Sequence, residues 1–152
     1  IKNSDFIFLI ALMIIDETDN TDYFLYKFNI SKKDQKRLKI IDKFFKEKKN
    51  TKKLSEKNIN EIFYYHGKQA VLDILSYKII KSKKIDKAQD ELIKFYENKI
   101  VPIMPISARL LMEKYKIPEG KQLGKKLKII EEEWVKNNFK ISDEKIDNII
   151  NN

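Results

Sequence analysis

Apolar residues recur at the helical period along almost the whole of this 152-residue chain, and no segment alternates as a half-buried strand would. A chain patterned this way has one means of burying its apolar stripes, which is to pack helix on helix. The expected fold is therefore all-α, a compact body of about seven or eight helices with a C-terminal helical tail.

The punctuation supports that reading. Ser4 can cap a first helix running to about Ile15, and Thr21-Asp22 can start a short second one. Ser31-x-x-Asp34 is a weakened capping box, opening a helix that turns Leu38, Ile41, Phe44 and Phe45 inward. Lys46 to Lys53 reads as a basic connector. Ser55 caps the next helix, with Ile59, Ile62 and Phe63 on one face, and Gly67 suits its left-handed end. Lys68 to Ser82 carries Val71, Leu72, Leu75 and Ile79, and a further helix takes in Leu92, Phe95 and Tyr96. Pro102 and Pro105 then interrupt the chain, because the residue before a proline avoids the helical region. This break is the expected boundary between a body-like subdomain, 1–101, and a tail-like subdomain, 102–152. Ser107 opens a helix to about Lys116; a KIPEG turn, a long helix to about Asn137 and a last helix capped by Ser142 follow.

Several functions are excluded at once. Without cysteine there is no disulfide, thiolate metal site or thiol nucleophile, and the single His66 argues against an imidazole-based metal centre and reads as a helix-end hydrogen-bonder. The longest apolar run, FIFLIALMII at 6–15, is half the roughly twenty residues needed to span a bilayer. DETD follows it in place of a signal-peptide cleavage site, so it is expected to be a buried helix in a cytoplasmic protein without a membrane partner. DETDNTD itself lacks the glycine and glutamate of a calcium loop. The chain begins with Ile1, so a preceding segment is expected. The formal net charge of +9 favours polyanionic partners, although an A/T-rich genome also produces lysine, isoleucine and asparagine in abundance.

The most informative stretch is MPISARLLMEKYKIPEGKQLGKKLKIIEEEW, residues 104–134. On a helical wheel Leu123, Leu127, Ile130 and Trp134 fall within an arc of about 60°, with Lys121, Lys125 and Lys128 opposite. No acidic residue occurs between Gly120 and Glu131, so the lysines crowd the positive end of the helix dipole. Stability alone would place Asp or Glu there. A bound phosphate would relieve the conflict, since free backbone N–H groups also point outward at a helix start. Gly120 suits the turn. Gly124, inside the helix, costs about 1 kcal/mol relative to alanine and implies a close approach to the backbone, either by the Ser107 helix, the favoured reading, or by a nucleic-acid strand. Trp134 reads as core and Glu131-Glu132-Glu133 as a solvated face. Tyr64 and Tyr65 could stack on bases, with core packing expected of at least one.

PISARLL…KIPEGKQLGKKLKIIEEEWV resembles the C-terminal signature of class II tRNA nucleotidyltransferases, the CCA-adding enzymes, and of the related bacterial poly(A) polymerases. Ser107, Gly120, Gly124, Leu127, Glu132 and Trp134 match it in order and spacing. IFYYHGKQAVLDILSYKII is similar to an upstream motif of that family through Tyr64, Gly67, Ala70 and Asp73, and FNISKKDQKRL to a third through Ser31 and Leu38. The chain departs from the family at Ala108, where glycine is usual, at Leu110 or Leu111, where aspartate is, and at Tyr65, where arginine is common.

The resemblance implies the body and tail of such an enzyme, the part that grips the acceptor stem and elbow of tRNA. In the family, catalysis belongs to an N-terminal head with a Gly-Ser turn and a D-x-D pair holding two magnesium ions. No Gly-Ser and no D-x-D occurs here. Catalytic residues, a metal site and cofactors are therefore not expected in this chain; magnesium and nucleotide belong with the head. The expected partners are tRNA or other structured RNA and a catalytic head on the same or another chain. Three basic clusters are available, Lys46 to Lys57, Lys78 to Lys87 and Lys121 to Lys128. The third coincides with the signature, which makes Arg109, Gly120, Lys121, Gly124, Lys125 and Lys128 the candidate RNA-binding residues. Two alternatives stay open on the residues: a non-catalytic remnant that serves protein association, and a helix-hairpin-helix-like DNA-binding module built on KIPEG.

Overall fold

The computed structural model describes residues 5–47, 54–82 and 87–151. Among them the chain forms nine helices and no strand: α1 (Phe6–Ile14), α2 (Asn20–Lys27), α3 (Lys32–Glu47), α4 (Glu56–His66), α5 (Lys68–Ser82), α6 (Lys87–Asn98), α7 (Ala108–Tyr115), α8 (Lys121–Lys136) and α9 (Asp143–Asn151). The protein is all-α. Its contacts divide it into two units, Ile1–Leu54 with His66–Ile100, and Ser55–Tyr65 with Val101–Asn152. The segment 55–65 thus clusters with the C-terminal residues.

In the first unit α3 packs on α1, α2 and α5, and α5 packs on α6. Ala11, Ile15, Leu38, Ile41 and Tyr77 form the buried centre, with Phe24, Ile30 and Phe45 among the residues packed against it. The Tyr77 hydroxyl, buried at this centre, donates to the Ile15 carbonyl, which satisfies both polar groups. Ser31 behaves as a capping residue: its hydroxyl accepts from Asp34 N at 3.2 Å and donates to the Asp34 carboxylate at 2.6 Å. Gly67 adopts the left-handed conformation, φ +83°, between α4 and α5.

Three expectations need correction or qualification here. The first helix is apolar all round, but only one side of it is covered. Ala11 is buried, while Phe6, Leu9 and Met13, spaced at helical intervals, are 70%, 45% and 82% exposed. Its N-cap is Asp5, whose carboxylate accepts from Phe8 N at 3.2 Å; Ser4 lies outside the described residues. Lys46 is not connector but the last turn of α3, where it pairs with Asp42 at 2.9 Å and lies 3.8 Å from both Asp19 and Asp22. Most of the remaining expected connector, 48–53, lies outside the described residues.

Arg37 ties the first unit together. Its guanidinium forks onto Asp73 of α5, with Nε and Nη2 each 2.6 Å from a carboxylate oxygen, and onto Asp5, with Nη1 and Nη2 at 2.8 and 2.5 Å. One side chain on α3 therefore holds α5 and the cap of α1. Gln69 supplies a further donor to Asp73 at 2.9 Å. Hydrogen bonding to Asp73 raises the Arg37 pKa, and hydrogen bonding to Arg37 lowers that of Asp5.

The second unit gathers residues 55–65 of the α4 region with α7, α8 and α9, α8 touching both α7 and α9. Leu111, Leu123, Ile130, Ile146 and Ile150 form its buried cluster. Ser55, Ser107 and Ser142 accept from the amides of Asn58, Leu110 and Lys145 at 3.3, 3.1 and 3.2 Å, so Ser55 and Ser142 cap as expected and Ser107 caps the helix it opens. After α8 the chain turns through Asn138 and Phe139, both at positive φ, and Phe139 N donates to Trp134 O at 2.8 Å. That turn brings the Phe139 ring to 5.1 Å from Trp134, and Tyr64 lies 5.4 Å from Trp134 in an edge-to-face arrangement. The stacking cluster is interior packing, with Trp134 only 3% exposed.

Replacing Arg37 by methionine leaves the Asp73 carboxylate, 3% exposed, without its countercharge. The expected loss is about 3–5 kcal/mol in urea unfolding. Arg109→Met, which removes only the exposed pair with Glu113 one turn along α7, should change stability by about 0.5 kcal/mol or less. Because the folded-state pKa of Asp5 is depressed, its contribution is full above the unfolded carboxylate range and lost as pH falls through the lowered value. An Asp5→Asn variant should therefore show a smaller drop in stability on acidification than the parent chain.

Candidate nucleic-acid interface

The candidate residues meet at the start of α8. Gly120 is the N-cap, at φ 150° and ψ −169°, a conformation that is almost exclusively glycine's. It has no side chain to cap with, and the first turn carries no acid. The ladder begins with Gly124 N donating to Gly120 O at 3.1 Å, so the amides of Lys121, Gln122 and Leu123 precede it. The helix thus opens with free donors, a positive dipole end and lysine side chains in one place.

Lys121, Lys125 and Lys128 are exposed, and none makes an ion pair among the described residues. Three other lysines of this unit lie beside carboxylates. Lys136 lies 4.0 Å from Glu132, Lys145 3.5 Å from Glu133 and Lys114 3.9 Å from Asp143. Lys126, off the lysine face, donates to the Ile149 and Ile150 carbonyls at 3.2 and 2.6 Å, neutralising the end of α9.

Arg109 is paired within its own helix. Its Nε lies 2.8 Å from the Glu113 carboxylate one turn along α7. Both partners are largely exposed, at 84% and 65%, and a pair of this kind is worth only about 0.3–0.5 kcal/mol, so a phosphate can compete for the guanidinium. Gly124 departs from the favoured expectation. A methyl group added there would meet nothing within 4 Å, so the Ser107 helix, α7, does not press against it. The flank beside the lysines is open to solvent.

The three glutamates after the lysine face are not a plain solvated surface. Glu131 accepts from the Tyr64 hydroxyl at 2.7 Å, and Glu132 and Glu133 are half-buried beside their lysine partners. Burial, with the Glu131 bond adding to it, pushes Tyr64 up to about 12. Tyr64 is committed to the interior, whereas Tyr65 is 47% exposed. This 67-residue link between Tyr64 and Glu131 left no local trace in the sequence.

Elsewhere, His66 is exposed and makes no hydrogen bond among the described residues; burial, then Lys36 and Lys43, hold its pKa below the ordinary value. In the DETDNTD turn, Asp16 accepts from Thr18 N, Thr18 Oγ1 and Asn20 Nδ2 at 3.1, 2.5 and 2.8 Å, which makes it a self-satisfied turn. Among the described residues no group of three or more Asp, Glu or His could hold a metal ion, and no helix is long and apolar enough to cross a membrane. This chain matches no protein-family model, no curated protein and no solved structure.

The two glycines should respond in opposite directions to alanine. Gly120→Ala forces a side chain into a glycine-only conformation and should lower stability by about 1–3 kcal/mol. Gly124→Ala, in open space within a helix, should raise it by up to about 1 kcal/mol. Thermal unfolding of the two single variants separates these outcomes.

Proposed function

We propose that this chain binds structured RNA, with tRNA as the expected ligand, and serves as the body-and-tail part of a CCA-adding or poly(A)-adding nucleotidyltransferase whose catalytic head lies elsewhere. The observation that carries the RNA reading is the start of α8: three exposed lysines without an ion pair among the described residues, on a helix whose first turn carries no acid and whose glycine cap has no side chain. Charges so arranged gain most from a ligand carrying repeated phosphates. Duplex RNA suits them because its recognition relies on backbone and shape more than on a base-reading pocket. The enzyme context rests on the three motifs and their order along the chain.

In this reading Lys121, Lys125 and Lys128 neutralise phosphates, the amides beside Gly120 donate to one of them, and Gly124 lets the backbone approach. Arg109 joins by exchanging Glu113 for phosphate. Titration of labelled tRNA against the chain over a range of salt tests this. Replacing the three lysines by alanine should weaken binding about tenfold or more at low salt and reduce the slope of log affinity against log salt by about 3. An unchanged slope rejects the α8 site. Tighter binding of duplex DNA than of tRNA would instead favour the helix-hairpin-helix reading, and no tRNA binding at low salt the remnant.

A further inference from the structure

We propose that the exposed face of α2 and the turn after it form a stacking platform for single-stranded RNA, separate from the lysine face of α8. The sequence here is YFLYKFNISKK, and the structure leaves its large rings uncovered: Tyr23 is 62% exposed, Tyr26 82% and Phe28 55%. Tyr23 and Tyr26 are three residues apart on α2 and so share one face. Lys27 completes the group, its Nζ 5.6 Å from the Tyr23 ring centroid and 5.7 Å from that of Tyr26. One cation thus lies near two exposed rings.

Phe28 is held in a different way. It stacks on the half-buried Phe24, centroids 4.7 Å apart and planes within 30°, so the core fixes the ring while much of it stays exposed. An orientated ring with an open side is what an unpaired base stacks on. Leaving rings of this size exposed forgoes burial worth about 1.5–3 kcal/mol each.

Charge chooses the occupant. No carboxylate occurs between Asp22 and Asp34, whereas Lys27, Lys32 and Lys33 fall in that interval, exposed and without an ion pair among the described residues. Asp22, the acid before the interval, lies 3.8 Å from Lys46. Alternating rings and unpaired cations fit a ligand that alternates flat bases with phosphates, in which the rings take the bases and the ammonium groups the backbone. A purely apolar protein partner would leave those lysines to be desolvated without compensation. The choice of RNA over single-stranded DNA rests on the function proposed above; the platform itself does not.

The test is fluorescence anisotropy with a short labelled single-stranded oligoadenylate, its DNA counterpart and an RNA hairpin. Tyr23→Ala/Tyr26→Ala should lose about tenfold or more in affinity for the oligoadenylate, with the hairpin affected less than about threefold. Tyr23→Phe/Tyr26→Phe should restore binding, since stacking needs the ring and not the hydroxyl. Because the rings are exposed, both double variants should keep the parent's helical circular dichroism. In a Tyr26→Trp variant the new fluorescence should be quenched on adding oligoadenylate, against the constant background of buried Trp134. Oligoadenylate affinity unchanged by loss of both rings overturns the proposal. So does a self-associated chain that the alanine variant renders monomeric and that binds no oligoadenylate. Equal or tighter binding of the DNA strand overturns the assignment to RNA. Loss of hairpin binding in the Lys121/Lys125/Lys128 variant with oligoadenylate binding intact, or the reverse pattern for the tyrosine variant, separates failure of one site from failure of the other.

Discussion

The first unit depends on one guanidinium. Thirty of the 32 cationic residues are lysine, and one of the two arginines stands where a lysine would not serve. Arg37 must meet two carboxylates at once, with four contacts of 2.5 to 2.8 Å, and only a planar fork presents enough donors in fixed directions. Asp73 is buried and so requires a partner, whereas Asp5 is also the cap of α1, so the same contact sets where the first helix begins. Helices α1, α3 and α5 are thereby placed relative to one another by a polar contact as well as by the apolar cluster around Leu38 and Ile41.

Local features were legible in the sequence. Ser31, Ser55, Ser107 and Ser142 cap through hydrogen bonds three residues long, and Gly67 takes the left-handed conformation its position suggested, because each depends only on its neighbours in the chain. Features linking distant residues were not. Arg37 meets Asp73 across 36 residues and Tyr64 meets Glu131 across 67, and no periodicity encodes either. The same gap explains α1. Its sequence is apolar on every side, which reads as burial, but how many sides are covered depends on how many helices arrive there, and Phe6, Leu9 and Met13 receive none. Nor could periodicity assign residues 55–65 to the second unit, since an apolar face specifies that it will be buried and not against what.

The candidate site was legible to a different degree. The lysine face of α8 follows from the period alone, and its exposure agrees with the wheel. Gly124 could not be read in this way. A helical glycine signals close approach without naming the partner, and here the space beside it is empty. Arg109 illustrates the opposite limit: its pairing with Glu113, four residues on, is a local contact that the helical period alone would have allowed.

The distribution of carboxylates says more than the net charge. In the second unit Glu132, Glu133 and Asp143 lie beside lysines and Glu131 takes a tyrosine hydroxyl, and Glu119, next to the cap of α8, pairs with none of its lysines among the described residues. Along α2 and into α3 the same thing happens, with the acids at 19, 22 and 42 gathered around Lys46 and none left among the rings. Here two acid-free intervals of about ten residues each coincide with free helix-start donors in one case and with exposed rings in the other. Those two combinations suit different parts of an RNA, since free amides and lysines address phosphates, paired or not, whereas rings need bases that have left the helix. The two combinations lie in different units, so each stands on its own residues and neither borrows support from the other.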